Sequence, residues 1–384
     1  MAEAAVVTQH RLAPVKQAVA QLSPGYFALV MGTGIISVGL KDLGFDSFSG
    51  VLLTIALVAY AVLWVLFLWR AIAFRREFFA DVRNPEKVFA FFTIVAATDV
   101  LAVRLFLEER PHVAMPLVFV GAGLWFVFGY VLPWQVLMAR DGKSVLTHTN
   151  GTWFIWAVAS QSLAIGLAQS QPFLNGSTYW VGLLAVLSWS VGVALYLAVA
   201  LFVMLRIIHY GLTPEEFEPP YWVSMGALAI AVVAGVNVVG MDSTPMVDVA
   251  SAIIGGTVVI FWCIAAWLIP MLLGAGVWRH WIHKVPLRYV PTMWSMVFPM
   301  GMFAVASISL GQLDALPIVE NIGKVSLVVA VTVWTMAMIG MLRRISWTAR
   351  AAFSRAGAAD REEARAPAPE GAVPREKFRS GGSD

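Results

Sequence analysis

Long apolar runs, broken only by short clusters of Gly, Pro and charged residues, predict ten helices along the chain. They fall at about 24–40, 51–69, 88–107, 113–138, 152–168, 179–205, 221–239, 249–273, 289–310 and 325–342. Each run reaches about 17 residues or more, the length a helix needs to cross the hydrocarbon layer of a bilayer. The charges between the runs support the count. Lys and Arg gather after the even-numbered helices, as Arg70, Arg75, Arg76, Arg83 and Lys87, then Arg140 and Lys143, then Arg206, then Arg279, Lys284 and Arg288. The opposite loops offer Lys41, Arg110 and, at a helix edge, Lys324. Basic loops stay on the cytoplasmic side, so both termini are expected there. A missed or extra helix would invert half of this alternation.

The odd-numbered helices start near 24, 88, 152, 221 and 289, a period of roughly 65 to 70 residues that predicts five helical hairpins around an axis. Phe27, Phe89, Trp153, Trp222 and Trp294 each stand near the start of an odd helix. That echo fits an internal repeat and equally an aromatic belt at the lipid headgroups.

Composition narrows the class. Charged residues make up 13% of the chain and hydrophobic ones 59%, against roughly a quarter charged in soluble domains, so there is too little charge to cover a soluble surface. One membrane domain is expected over 24–342, between a cytoplasmic N-terminal segment, 1–23, and a tail, 343–384. The tail is rich in Ala, Arg, Glu, Gly and Pro and is expected to be disordered and cytoplasmic. The first 23 residues hold no long apolar core, so no cleavable signal is expected and the first spanning helix does the targeting. A net charge of +3, with the basic residues beside apolar runs, points to the lipid bilayer as partner and away from nucleic acid. Cys263 stands alone, which excludes a disulfide framework and a thiolate cluster. His10, His112, His148, His209, His280 and His283 all fall in loops or at helix ends. No mid-membrane haem or histidine-metal site is therefore expected, and His280 with His283 lacks a third ligand. Neither an enzyme, nor a cofactor, nor a bound metal is expected.

The polar residues inside the runs are unevenly shared. Odd helices carry Thr33, Ser37, Thr93, Thr98, Asp99, Ser160, Gln161, Ser162, Ser224, Asn237, Ser295, Ser307 and Ser309, and every mid-helix carboxylate or carboxamide is among them. Even helices carry mainly hydroxyls, which can bond back to their own carbonyls. Polar groups at membrane depth face a cavity or another helix. The expectation is therefore an all-α integral membrane fold with the odd helices inside, around a central pore, and the even ones outside. Ser37, Gln161, Asn237 and Ser295 are the candidate pore-lining polar residues.

The motifs Met31-Gly32-Thr33-Gly34 and Val297-Phe298-Pro299-Met300-Gly301 predict inner helices that are broken. Pro299 removes a donor near mid-membrane and kinks its helix. Amides freed there, together with the segments holding Gly32, Thr33, Gly34 and Gly301, would attract an anion without a basic residue. The glycines serve equally as points of close helix approach. Arg104, toward the outer end of its helix, either draws anions to the outer mouth or snorkels to the headgroups. Asp99 is the only acid deep within an apolar run. It is either a proton site for coupled transport or a carboxyl bonded to a neighbouring helix.

Ser23-Pro24-Gly25-Tyr26-Phe27 followed by Met31-Gly32-Thr33-Gly34-Ile35, then Trp294-Ser295-Met296-Val297-Phe298-Pro299-Met300-Gly301, resembles the tellurite-resistance/dicarboxylate transporter family. That family takes in plant slow anion channels, bacterial tellurite-resistance permeases, yeast malic acid permeases and fungal sulfite pumps. The resemblance covers about 24–342. It implies a homotrimer in the plasma membrane, a small anionic solute, and a pore closed by a phenylalanine on the ninth helix, which Phe298 matches. By spacing, Phe298 shares a helix face with Ser295, Met302 and Ser309, and either plugs the axis or packs as an ordinary ring. Two functions stay open. One is an anion channel or uniporter passing small inorganic or carboxylate anions past a Phe gate. The other is a proton-coupled dicarboxylate (malate-like), sulfite or tellurite transporter.

Overall fold

A computed structural model describes residues 15–138, 144–174 and 178–363. It is all helical among those residues, and ten helices are long and apolar enough to cross a bilayer. They are α1 (Ala28–Asp42), α2 (Asp46–Ala73), α3 (Phe92–Phe106), α4 (Pro111–Met138), α5 (Phe154–Ser170), α6 (Tyr179–Tyr210), α7 (Val223–Val239), α8 (Pro245–Val277), α9 (Trp294–Leu313) and α10 (Pro317–Glu363). The bundle occupies Ala18–Leu342. The chain stays helical to Glu363, through the first part of the segment expected to be a disordered tail, because Ala, Arg and Glu there are strong helix formers. Residues 364–384, the first fourteen, and the basic pair Arg140 and Lys143 lie outside the described residues.

Burial sorts the helices into two rings. The odd spans are at least 78% buried and the even ones at most 28%, so the even helices carry the apolar face that meets lipid. The inner ring closes on itself: α1 packs on α3, α3 on α5, α5 on α7, α7 on α9, and α9 on α1.

Every inner helix is entered through a 3-10 turn, at Pro24–Phe27, Val88–Phe91, Gly151–Trp153, Pro219–Trp222 and Pro291–Met293. Three of these begin with proline, whose fixed φ suits a helical first position and whose missing N–H would be unpaired there anyway. The five turns touch one another in the same cyclic order and form a collar at one end of the pore. Phe27, Phe89, Trp153, Trp222 and Trp294 are all buried, none more than 6% exposed. They fill the collar, as where Phe89 meets Trp153 at 4.5 Å. A belt at the headgroups would leave them in contact with lipid, so the fivefold echo is an internal repeat.

A second repeat ties the rings together. Each outer helix places one aromatic polar atom against the inner helix of the following hairpin. Tyr60 Oη lies 2.8 Å from Thr98 Oγ1. Trp125 Nε1 donates to Ser160 Oγ at 2.8 Å and Trp189 Nε1 to the Ala231 carbonyl at 3.0 Å. Trp262 Nε1 donates to Ser307 Oγ at 2.9 Å, and Trp334 Nε1 closes the circuit on Thr33 Oγ1 at 2.9 Å. An unpaired N–H in hydrocarbon costs several kcal/mol. These bonds therefore fix both the depth and the rotation of each outer helix.

Candidate functional site

Between the inner helices, at the end away from the collar, lies a cavity lined by residues of all five. Its volume is about 60 Å³, several times the roughly 10–15 Å³ that one water needs on the same measure. α1 contributes Ile35, Val38 and Asp42, and the α3 stripe contributes Val100, Val103 and Leu107. Ile165 and Gln169 come from α5, Val233 and Asn237 from α7, and Met302, Val305 and Ser309 from α9. The steps of three and four along each helix mark one face.

Continuing the α9 stripe one turn toward the collar reaches Phe298, which is 1% exposed, and then Ser295. The inner helices are pinched together at this level. A Cβ on Gly226 of α7 would lie 2.8 Å from Pro299 Cβ, one on Gly32 3.0 Å from Val297 Cγ1, and one on Gly301 2.8 Å from Ile35 Cγ2. Real side chains do not approach that closely, so these glycines are where backbones meet.

The expected breaks do not occur. α1 is helical throughout Ala28–Asp42, and α9 runs uninterrupted from Trp294 to Leu313 across Pro299. Proline's one missing N–H would have served the Ser295 carbonyl, so the loss is a single helix bond. Gly32, Thr33, Gly34 and Gly301 keep helical backbones and expose no row of free amides. Glycine permits a break without forcing one, and the close packing of neighbours around Pro299 holds the helix together.

Several polar candidates turn outward. Thr33 accepts the Trp334 indole. Gln161 Nε2 donates to the Trp189 carbonyl of α6 at 3.1 Å, filling the space left by Gly192. Ser37 donates to the Ser49 carbonyl at 2.7 Å. Arg104 does not line the cavity: it is fully buried, donates from Nε to Ser37 Oγ at 2.9 Å and from Nη2 to Ser49 Oγ at 2.7 Å, and pairs through Nη1 with Glu108 at 2.8 Å. It joins α1, α2 and α3. The guanidinium in turn holds the Glu108 carboxyl below its usual range. Asp99 is also off the cavity face. Its Oδ2 accepts from Ser162 Oγ at 2.9 Å, and its other oxygen sits against Gly121 of α4.

Of the candidates, Asn237 reaches the cavity and Phe298 with Ser295 continues its stripe. Asn237 Oδ1 accepts from Gln169 Nε2 at 3.1 Å, while its Nδ2 donates to the Val233 carbonyl at 2.8 Å. The lining residues missed as candidates are Asp42, Gln169 and Ser309. Asp42 and Gln169 lie just past the expected helix ends at 40 and 168; Ser309 was marked by its spacing from Phe298.

The match to known proteins spans nearly the whole bundle: the voltage-dependent anion channel family covers residues 21–342. The chain belongs to that family. An uncharacterized membrane protein of Mycobacterium tuberculosis is 47% identical over 154 residues, 40% of this chain and 78% of the relative. An uncharacterized transporter of Methanocaldococcus jannaschii is 26% identical over 317 residues, 78% of this chain and 86% of its own length. A sulfite efflux pump of Arthroderma benhamiae is 21% identical over 341 residues, 83% of this chain and 89% of the pump. Membership makes the chain a multi-pass integral membrane protein of an anion channel and transporter family, not an enzyme.

Proposed function

We propose that the chain is an anion channel or uniporter whose path runs along the inner-ring axis, with Phe298 as the plug. The observation that carries this reading is the α9 stripe: Met302, Val305 and Ser309 line the cavity, and Phe298 is the next residue of that stripe at the pinched level. Gln169, Asn237 and Ser309 bring neutral hydrogen-bond donors to the path, which suits a weakly held, rapidly exchanging anion. A proton-coupled reading needs an acid deep on the path, and the cavity's one carboxylate, Asp42, stands at its outer end on the last turn of α1. Asp99 lies off the cavity stripe and is bonded to Ser162, so the passive reading is preferred. The sulfite efflux pumps among the relatives support a small oxyanion or inorganic anion as cargo. A homotrimeric assembly in the plasma membrane with both termini cytoplasmic completes the proposal; the basic loops after the even helices support the orientation.

The test is anion flux into liposomes under an imposed voltage, normalised to folded protein. Phe298→Ala raises flux and Phe298→Leu raises it less. Phe303→Ala leaves it unraised, because Phe303 stacks on Trp262 of α8 with centroids 6.2 Å apart, away from the axis. Unchanged or reduced flux in well-folded Phe298→Ala would remove the gate. Flux that strictly requires a proton gradient would replace the channel with a coupled transporter.

A further inference from the structure

The cavity contains a feature that an anion path does not need. Among its lining residues Asp42 is the sole charged one, and it stands water-exposed at the last turn of α1. The neighbouring cations are engaged elsewhere. Lys41 pairs with Asp46 of α2 at 2.7 Å and reaches Glu108 at 3.5 Å, and Arg104 pairs with Glu108 at 2.8 Å. α5, α7 and α9 present only neutral Gln169, Asn237 and Ser309 as polar lining groups. The local set therefore holds two cations, Lys41 and Arg104, against three carboxylates, Asp42, Asp46 and Glu108. An arriving anion meets net negative charge, with the Asp42 carboxylate nearest the path.

We propose that Asp42 is a protonation-controlled filter at the cavity mouth, which opposes anion entry when ionised and admits anions when protonated. Acid on that side of the membrane then raises anion flux without a proton being carried through. The inference rests on the axial path proposed above but not on the Phe298 plug. Its basis is electrostatic: a carboxylate within several ångströms of an ion's route shifts local ion concentration severalfold, and salt weakens the effect.

The potential can be read without any transport. In a Cys263→Ala background, Ser309→Cys places a thiol in the cavity, with Val305→Cys as a second reporter. Each is treated with anionic and cationic methanethiosulfonates of matched size at a series of pH values from 7.5 down through the ordinary carboxylate range in low salt; the ratio of rates cancels the thiolate fraction. The cationic reagent should win by on the order of fivefold to tenfold at the highest pH. The ratio should fall toward one as the Asp42 carboxyl takes up its proton, and Asp42→Asn should hold it near one throughout. In parallel, Asp42→Asn should raise anion flux at neutral pH and flatten its rise toward acid. A labelling ratio indifferent to Asp42→Asn overturns the filter whatever Phe298 does. A ratio that responds while the pH profile of flux is unchanged also overturns it, because the charge would then be felt in the cavity and not by the conducted ion. Failure of Phe298→Ala to raise flux removes the plug and leaves the labelling result to decide Asp42.

Discussion

Arg104 offers an ordering of stabilities that runs against intuition. Its guanidinium is fully buried, while its partner Glu108 is 33% exposed. Arg104→Met removes the buried charge, leaves Glu108 free to hydrate, and leaves Ser37 and Ser49 bonded to each other, through Ser49 Oγ to the Ser37 carbonyl at 2.6 Å and Ser37 Oγ to the Ser49 carbonyl at 2.7 Å. The loss is then mainly the charge-assisted hydrogen bonds, offset by the desolvation no longer needed, a net cost of about 1–2 kcal/mol. Glu108→Ala does the opposite and strands a buried cation among two hydroxyls, at a cost of about 3–5 kcal/mol. The double variant should lie close to Arg104→Met alone, since both members of the pair are then gone. Thermal unfolding in detergent, followed by tryptophan fluorescence, ranks the three. Acid should mimic Glu108→Ala. The Glu108 pKa is depressed in the fold by its hydrogen bond with Arg104, so its stabilisation is present above its unfolded value of about 4.3 and is lost as pH falls through the lower folded value. Arg104→Met being the costlier single change would refute the staple. A salt-dependent fall in flux at unchanged stability would return Arg104 to the mouth.

Three further outcomes follow from the packing. Asp99→Asn keeps the acceptor for Ser162 and removes titration, so voltage-driven flux per folded molecule should persist; loss of flux in a well-folded protein would put Asp99 on the path. Gly226→Ala forces a methyl to 2.8 Å from Pro299 and should cost about 1–3 kcal/mol by overpacking. Gly256→Ala, with nothing within 4 Å of its added carbon, should be neutral or slightly stabilising, and equal unfolding midpoints for the two would contradict the pinch. In a Cys263→Ala background, Ser47→Cys and Ser243→Cys should react with an impermeant reagent from outside and Ser144→Cys should not, and the reverse pattern would overturn the orientation.

The ten helices and their two rings were legible because hydrocarbon imposes simple rules on length and polarity. The polar groups counted on the odd helices did mark the inner ring. The starts of the odd helices were legible as well, through the spaced aromatics that turn out to fill the collar. The course of α10 past Arg344 was not legible from hydrophobicity, which falls there while helix propensity stays high and the helix continues to Glu363. Basic residues read as topology signals also brace loops, as Arg70 does with Asp81 at 2.6 Å.

Which way each inner polar residue points was not legible, and the reason is physical. A helix enclosed on every side is apolar all round, so no stripe distinguishes the face toward the axis from the face toward the outer ring. Ser37, Gln161, Asp99 and Arg104 lie on inner helices and face neighbours instead of the cavity. The missing clue lay on the even helices. Tyr60, Trp125, Trp189, Trp262 and Trp334 recur once per hairpin, and each polar ring atom must find a partner inside the protein. Their targets on the next inner helix include Thr33, Thr98, Ser160 and Ser307, which assigns those hydroxyls to the outer side. Once these are removed, what remains to face the axis at the widened end is the stripe of aliphatic residues with Asp42, Gln169, Asn237 and Ser309. On α9 that stripe leads back to Phe298. The proposed path, apolar at its narrowest level and lined where it widens by neutral polar groups and one carboxylate, would give an anion no deep well to fall into. Under the two proposals, throughput would be governed by the Phe298 ring and by the Asp42 carboxylate, which the fluxes of Phe298→Ala and Asp42→Asn test separately.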